Sequence, residues 1–228
     1  MIHDLVKYLS NPRNQDAVVH LLLVHIRLAL VPLLIGLLAA LPIGWAAQRY
    51  RRVRALVLGA SNVLYTVPSL ALFVILPSII GTRILDELNV VVALALYTAA
   101  LLVRPVVDAL DALPAHVLAA ATAVGYRPVR RFLTVELPLA VPVLAAGVRV
   151  ASVSNISLVS VGALIGVGGL GQLFTEGFQN AYNPPIVVGI ALTLALALVV
   201  DLLLVAGRSL LTPWQGQRAG RRRLVGAA

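Results

Sequence analysis

The sequence predicts an all-α, polytopic membrane protein with about five transmembrane helices. Of its 228 residues, 60% are hydrophobic and only 12% are charged, and the mean hydropathy is +0.97. A soluble domain of this size cannot bury that much apolar surface. Apolar stretches long enough to cross a hydrocarbon core of about 30 Å recur along the chain, with basic residues at their ends.

Five apolar runs give the predicted spans. They cover about residues 18–47, 55–80, 88–107, 137–161 and 186–206. Together they define a membrane domain over residues 18–206, preceded by an extracytoplasmic segment (1–17) and followed by a basic cytoplasmic tail (207–228). Because the first residues are polar and mixed in charge, unlike a signal peptide, we expect the first run to remain as a membrane anchor.

The positions of Lys and Arg predict the orientation, because basic residues are retained on the cytoplasmic side. With the N-terminus outside and the C-terminus inside, Lys7, Arg13, Arg27 and Arg83 lie outside and Arg149 lies within the fourth span. The net charge of +9 is therefore a topology signal, and we expect no nucleic-acid partner. The arginines placed inside are Arg49, Arg51, Arg52, Arg54, Arg104, Arg127, Arg130, Arg131, Arg208, Arg218, Arg221, Arg222 and Arg223.

Proline and small residues inside the runs indicate a bundle rather than isolated anchors. Helix breaks are expected at Pro32, Pro42, Pro68 and Pro77, where a neighbouring helix, a hydroxyl or water must satisfy the freed carbonyl. The fourth run is dense in Ala, Gly and Ser, which lets helix backbones approach closely. We expect these helices to pack around a cavity.

The stretch between the third and fourth runs predicts a short helix, a tight turn and a second short helix. Pro114 suits the first turn of a helix, and Gly125 suits the left-handed conformation that ends one. Pro128 then opens the second helix and Pro138 bounds it. An apolar stripe on the first helix suits docking into a groove of a partner.

This stretch resembles the cytoplasmic loop of type I binding-protein-dependent ABC importers. Their motif reads Glu-Ala-Ala, three residues, Gly, nine residues, then Ile-x-Leu-Pro. The matching residues here are Ala119, Ala120, Ala121, Gly125, Val135, Leu137 and Pro138. The resemblance implies that residues 114–138, the coupling segment, dock in a cleft of an ATP-hydrolysing subunit and transmit its closure to the membrane helices. Ala119 replaces the motif's Glu, so the charge contact of that Glu is missing.

Further stretches resemble the branch of the family that imports compatible solutes such as glycine betaine, choline and carnitine. They are residues 65–73, 136–149, 154–156 and 162–171. One alternative is a permease for methionine or another amino acid, which shares the five-span layout; the run 66–73 argues against it. The other alternative is a membrane enzyme acting on lipid-linked substrates, for which the only candidate groups are Asp108, Asp111, His116 and Glu136.

The second run contains the predicted substrate pathway. Thr66, Pro68 and Ser69 form a plausible helix break that exposes hydroxyls and carbonyls near mid-membrane, although a packing kink with Ser69 bonded to its own helix explains them equally well. Tyr65 and Tyr97 offer ring faces to a quaternary ammonium group by cation–π attraction, or else are packing or interfacial residues. The fourth run adds Ser154 and Asn155 to the pathway.

Glycines after the fourth run fit the GxGxxG pattern of dinucleotide-binding loops. The pattern follows a predicted membrane helix rather than a strand, and the required acidic residue about 20 positions on is missing. We therefore interpret it as an outer gate loop, a turn lining the outer mouth, in which glycine allows close backbone approach. Its residues are Gly166, Gly168, Gly169 and Gly171.

Isolated ionisable residues are expected to be structural. Arg149 and Asp201 lie in apolar runs, where a charge needs a partner or water, and whether they pair with each other stays open. The histidines, His3, His20, His25 and His116, show no ligand spacing and are expected at interfaces and in loops. The chain has no cysteine, which excludes disulfides and thiolate metal sites.

The missing ATP-binding motif predicts that another protein hydrolyses ATP. A Walker A loop needs Gly-Lys-Ser/Thr, and the only lysine is Lys7. We therefore expect a transport subunit rather than an enzyme, without cofactor, catalytic residue or metal, while a partner ATPase binds ATP and Mg²⁺. The resemblance further implies a second permease subunit, identical or paralogous, and an extracytoplasmic solute-binding protein. It implies the bacterial cytoplasmic membrane, with lipid around the helices.

Overall fold

The computed structural model describes residues 2–214, and the regular structure within them is entirely helical. Arg218, Arg221, Arg222 and Arg223 of the predicted tail lie outside the described residues. The helices are α1 (Ile2–Leu9), α2 (Pro12–Arg49), α3 (Arg51–Thr66), α4 (Ser69–Ile80), α5 (Glu87–Asp111), α6 (Ala115–Ala123), α7 (Pro128–Arg131), α8 (Leu137–Gly162), α9 (Gly171–Gln179) and α10 (Asn183–Leu211). A π-helical turn (Phe132–Glu136) joins α7 to α8, and a 3-10 turn (Ala163–Ile165) follows α8.

Helices α2 and α5 form the centre of the bundle and run parallel. Arg27 of α2 pairs with Glu87 at the start of α5, and farther along α2 Gly36 and Gly44 face Thr98 and Val106. A Cβ atom on Gly36 would lie 2.4 Å from the Thr98 Cβ, closer than real Cβ atoms come. The missing side chains therefore allow the two backbones to pack in direct contact.

Because α2 and α5 run in the same direction, the chain must return between them. Helices α3 and α4 make this return, and they are bent by 106° relative to each other. Val67 and Pro68 are extended at the bend, with ψ angles of 131° and 130°. The predicted break at Pro68 is confirmed, but the second run is not a single straight span, because proline removes an N–H and disfavours helical backbone in the residue before it.

The remaining long helices complete five passes. Helix α8 is antiparallel to α5, since Gly147 packs on Pro105 and Asn155 bonds to Thr98. Helix α10 runs back along α8. Four helices are long and apolar enough to cross a membrane, and the bent pair makes a fifth crossing. The two ends of the described chain therefore lie at opposite ends of the bundle, with the coupling segment at the same end as the arginines that follow α2.

Prolines other than Pro68 do not break their helices. The expectation of breaks at Pro32, Pro42 and Pro77 was wrong, because α2 continues through the first two and α4 through the third. Pro32 and Pro77 are buried among neighbouring helices. Membrane helices tolerate proline in such positions because neighbouring groups satisfy the backbone carbonyl that the missing N–H leaves free.

Two apolar clusters fill the bundle along its length. The first lies toward the outer end and includes Leu28, Phe73, Leu94, Ile156 and Val159. The second lies toward the inner end and brings residues of α2, α5 and α8 around Phe132, the first residue of the π-helical turn. The aromatic side chain of Phe132 thus places part of the coupling segment in the core. Helix α10, by contrast, keeps many exposed apolar side chains along its length.

Candidate functional site

The coupling segment has the predicted helix–turn–helix form. Helix α6 begins directly after Pro114, and Gly125 closes the turn with a φ angle of +90°. Pro128 opens α7, as expected. Pro138 does not end the second helix, which was the prediction, since the π-helical turn continues into α8 with Pro138 in its first turn. Because the helical backbone is continuous through Glu136, Pro138 lies inside a helical stretch, in which it donates no backbone hydrogen bond.

The surface of the coupling segment is largely uncovered. None of the nine described residues of α6 is buried. Val124 is 79% exposed, and Val129 and Leu133 are also exposed. Ala119 and Ala120 lie on the exposed side, whereas Ala121 is half-buried. Apolar side chains without a covering element at a polar end of a membrane bundle are typical of a docking surface.

Arg131 connects the parts of the coupling segment. Its Nε donates to Glu136 Oε1 at 2.6 Å, and its Nη1 donates to the Thr122 hydroxyl at 2.8 Å. Glu136 is buried. From the sequence, Arg131 was considered only as a cytoplasmic charge, because α-helical pairs form between residues three or four apart and the pair with Glu136 spans the π-helical turn.

The acidic residues considered for an enzyme are instead paired with arginines. Asp111 accepts from Arg54 at 2.7 Å, Asp108 lies 3.7 Å from Arg104, and Glu136 pairs with Arg131. In the part of the chain that the structure describes, no three His, Cys, Asp or Glu side chains converge as a metal site would require. The carboxylates at the inner end therefore act as structural partners of the arginines.

The helix break brings four predicted pathway residues to one small cavity. Tyr65, Tyr97, Ser154 and Asn155 line it together with Thr98, and its volume is about 10 Å³, close to the size of one water molecule. The cavity lies between the bent pair, α5 and α8. The structure thus places polar groups from three elements beside the bend.

The two tyrosines at the break have different environments. Tyr97 is buried and its hydroxyl donates to the Val67 carbonyl at 2.5 Å, so it satisfies backbone freed by the bend. Tyr65 is 46% exposed and meets Tyr97 edge to face, with ring centroids 6.0 Å apart. Tyr97 therefore packs against the bend, and Tyr65 is the more exposed of the two rings.

The polar side chains predicted to line the pathway have different hydrogen-bond partners. Thr66 donates to the Val63 carbonyl at 2.7 Å and so bonds to its own helix. Pro68 caps α4 and Ser69 is its first, half-buried residue. Deeper in the bundle, the Asn155 amide donates to the Ala29 carbonyl at 3.2 Å and to the Thr98 hydroxyl at 2.9 Å. Asn155 thereby joins α2, α5 and α8.

The glycine-rich loop is bound to the core through His25. The Leu170 N–H donates to His25 Nδ1 at 3.1 Å, and His25 Nε2 lies 2.9 Å from the Ile156 carbonyl. Because Nδ1 accepts, Nε2 carries the proton and the ring is neutral. The prediction that the histidines lie at interfaces and in loops was wrong for His25, which is fully buried since backbone groups satisfy both nitrogens.

Glycine is required at several points of this loop. Gly166 and Gly169 have φ angles of +79° and +104°, which side chains disfavour. A Cβ atom on Gly168 would lie 3.2 Å from Val24. Gly171 is the first residue of α9 rather than part of the turn, and a Cβ there would lie 2.4 Å from the Ser160 carbonyl oxygen. The expected close backbone approach is confirmed.

Arg149 and Asp201 pair with each other across α8 and α10. Two parallel bonds join the guanidinium to the carboxylate, at 2.6 and 2.7 Å. Both residues lie well inside their helices, and the two side chains are 40% and 24% exposed. A two-pronged contact of this kind satisfies both charges where water is scarce. The question left open by the sequence is thereby answered.

A bundle of four long apolar helices with a bent helix pair beside α5 and an exposed helix–turn–helix at one end is typical of a membrane subunit of a transport system. The chain belongs to the family described as binding-protein-dependent transport system inner membrane component, whose model matches residues 32–206. The sequence-based family prediction, the all-helical fold and the membrane location are confirmed. The chain is therefore a transport subunit rather than an enzyme.

Two curated relatives match nearly the whole chain. It is 33% identical to the osmoprotectant import permease protein of Salmonella typhimurium, over 92% of this chain and 98% of that protein. It is 29% identical to a choline transport system permease protein of Bacillus subtilis, over 95% of this chain and 98% of that protein. The similarity thus extends well beyond the coupling segment.

A solved structure shares the fold. The methionine ABC transporter MetNI, in an inward-facing conformation, superimposes with a TM-score of 0.77, over 89% of this chain and 99% of that chain. The sequence identity is 21%, so this likeness concerns the arrangement of helices and carries no information on the solute.

Proposed function

We propose that this chain is the permease subunit of an ATP-driven importer for a compatible solute with a quaternary ammonium group, such as glycine betaine, choline or carnitine. The observation that carries the proposal is the near full-length match to permeases named for osmoprotectants and choline. The methionine alternative rests on a structure that is 21% identical, and it is the weaker candidate.

The partner that hydrolyses ATP docks on the coupling segment. The exposed apolar side chains of α6 and of the turn after it support this assignment, as do the motif residues Ala119, Ala120, Ala121, Gly125, Val135, Leu137 and Pro138. ATP and Mg²⁺ are bound by that partner, because this chain has no P-loop lysine. Two ATPase subunits, a second permease and an extracytoplasmic binding protein complete the assembly.

Transport proceeds by alternating access. ATP-driven closure of the ATPase subunits draws the two coupling segments together and opens the pathway toward the loaded binding protein, and hydrolysis resets it inward. The glycine-rich loop with Gly166, Gly168, Gly169 and Gly171 forms the outer gate. Its backbone bond to His25 ties any movement of that loop to α2.

The solute passes along the bent span. Tyr65, Thr66, Pro68, Ser69, Tyr97, Ser154 and Asn155 are the proposed lining. The exposed ring of Tyr65 offers its face to the cationic headgroup, an attraction of about 0.5–2 kcal/mol. A Tyr65→Ala variant is therefore expected to raise the apparent KM for uptake by about 2- to 30-fold. Tyr65→Phe retains the ring face and is the matched control; equal loss in both variants excludes the ring as a recognition element.

Reconstitution tests the function as a whole. The permease is purified with its ATPase and binding protein, placed in liposomes, and assayed for ATP-dependent uptake of glycine betaine, choline, carnitine and methionine. Uptake of a quaternary ammonium solute is expected. Uptake of methionine alone overturns the choice of solute, and failure to recover any ATPase with the chain overturns the permease assignment.

A further inference from the structure

The coupling segment is joined to the membrane without an intervening loop. Helix α7, the π-helical turn and α8 follow one another directly, and the Leu137 N–H bonds back to the Phe132 carbonyl, five residues earlier. A π-helical turn is wider than an α-helix and often marks a functional joint. Two residues of this turn are buried, Phe132 and Glu136, and Phe132 packs on Trp45 with ring centroids 5.4 Å apart.

Helix α6 itself is only weakly attached to the rest of the chain. None of its described residues is buried, and its sequence contains no acidic side chain, since Ala119 occupies the position of the motif's Glu. Packing therefore contributes little to its placement. The polar contact that ties it to the membrane helices is the bond between Thr122 and Arg131.

Arg131 makes both contacts with one side chain. Its guanidinium reaches Thr122 on α6 and, at the same time, the buried carboxylate of Glu136 at the base of α8. The rigid fork of a guanidinium fixes the relative position of two acceptors better than a flexible ammonium does. Displacement of α6 therefore pulls on Glu136 through a short path of three side chains.

We propose that Arg131 is a positioning residue that transmits movement of α6 to α8, with the π-helical turn as the joint between them. This inference rests on the proposed docking of α6 to an ATPase.

The test distinguishes a loss of coupling between ATP hydrolysis and uptake from a failure to assemble with the ATPase. Wild-type, Thr122→Val and Arg131→Gln permeases are purified with ATPase and binding protein, and both ATP hydrolysis and solute uptake are measured in liposomes. Thr122→Val leaves the Arg131–Glu136 pair in place and removes the bond from Arg131 to α6, together with the bond of the Thr122 hydroxyl to the Leu118 carbonyl within α6. Both variants are expected to co-purify with the ATPase but to lower the uptake per ATP hydrolysed by about fivefold or more.

Arg54→Gln is the matched control. Arg54 also pairs with a carboxylate at the inner end, Asp111 at 2.7 Å, but it touches neither α6 nor α7. Its uptake per ATP is expected to equal that of the wild type. An unchanged ratio in Thr122→Val, with normal assembly and wild-type transport, overturns the proposal even if Arg131→Gln fails to fold. Wild-type chains that bind no ATPase contradict the proposed function instead.

Discussion

The glycine-rich loop at the outer end and the coupling segment at the inner end are attached to the bundle by different kinds of contact. At the outer end, the glycine-rich loop is attached by neutral hydrogen bonds to His25, and Val167 and Leu170 are fully buried. At the inner end, ion pairs make the connections, among them Arg54 with Asp111 at the surface and Arg131 with the buried Glu136. The coupling segment enters the core through Phe132 and Glu136, both of which are buried.

This difference teaches where the molecule is able to rearrange. A buried polar group without its partner costs about 1–3 kcal/mol, so the outer loop has one favoured arrangement. An exposed ion pair such as Arg54 with Asp111 contributes only about 0–1 kcal/mol, so the exposed contacts of the inner end exchange at little cost when a partner arrives. We infer that the outer loop keeps its attachment to α2 while the coupling segment moves with its partner.

Loss of the His25 side chain is expected to have the largest effect. His25→Ala leaves the Leu170 N–H without its acceptor and opens a cavity in the core, which together destabilise the fold by about 2–5 kcal/mol. The midpoint of unfolding in detergent measures this. His20→Ala, at an exposed position of the same helix, should change stability by less than about 0.5 kcal/mol. Similar midpoints for the two variants contradict the rigid outer attachment.

Adding a methyl group at Gly36 tests the close packing of α2 against α5, the two helices at the centre of the bundle. Gly36→Ala places a carbon 2.4 Å from the Thr98 Cβ, and the overpacking is expected to destabilise the bundle by about 1–3 kcal/mol. Gly59→Ala in α3 is the control, since a Cβ there has nothing within 4 Å. The same unfolding assay applies, and a Gly36 variant as stable as the Gly59 variant argues against direct backbone contact.

Restoring the acidic residue of the motif is expected to have the smallest effect. Ala119 is exposed on α6, so a glutamate fits without displacing any neighbour. Ala119→Glu should bind the ATPase as tightly as the wild type or more tightly, as judged by titration of the purified subunits. Weaker binding together with loss of coupled ATP hydrolysis means that α6 meets its partner through a different face.

Some local backbone signals were read correctly from the sequence, whereas the prolines inside α2 and α4 and the long-range contacts were not. Gly125, Pro128 and the break at Pro68 follow from conformational preferences of single residues, and each lies where it was expected. The burial of His25 depends on Ile156, which is 131 positions away. No pattern around His25 reveals such a partner, so the sequence favoured an interface.

The candidate site was likewise predicted in part from the sequence. The motif spacing located the coupling segment, because the spacing reflects one continuous helical unit. The cavity beside the bend combines α5 and α8 with the bent pair, and only the packing of the bundle brings Tyr65, Tyr97 and Asn155 together. The sequence did not decide whether Arg149 pairs with Asp201, because each apolar helix has many possible neighbours in a bundle.

Cysteine cross-linking tests the docking of the coupling segment most directly. The chain has no cysteine, so Val124→Cys at the exposed turn and Phe178→Cys at the exposed outer end each provide a unique thiol. Val124 is 79% exposed and Phe178 is 83% exposed. In the assembled complex, a short thiol-reactive cross-linker should join the ATPase subunit to Cys at position 124 and not at position 178. Cross-linking from position 178, or none from position 124 in a complex that contains the ATPase, contradicts the account.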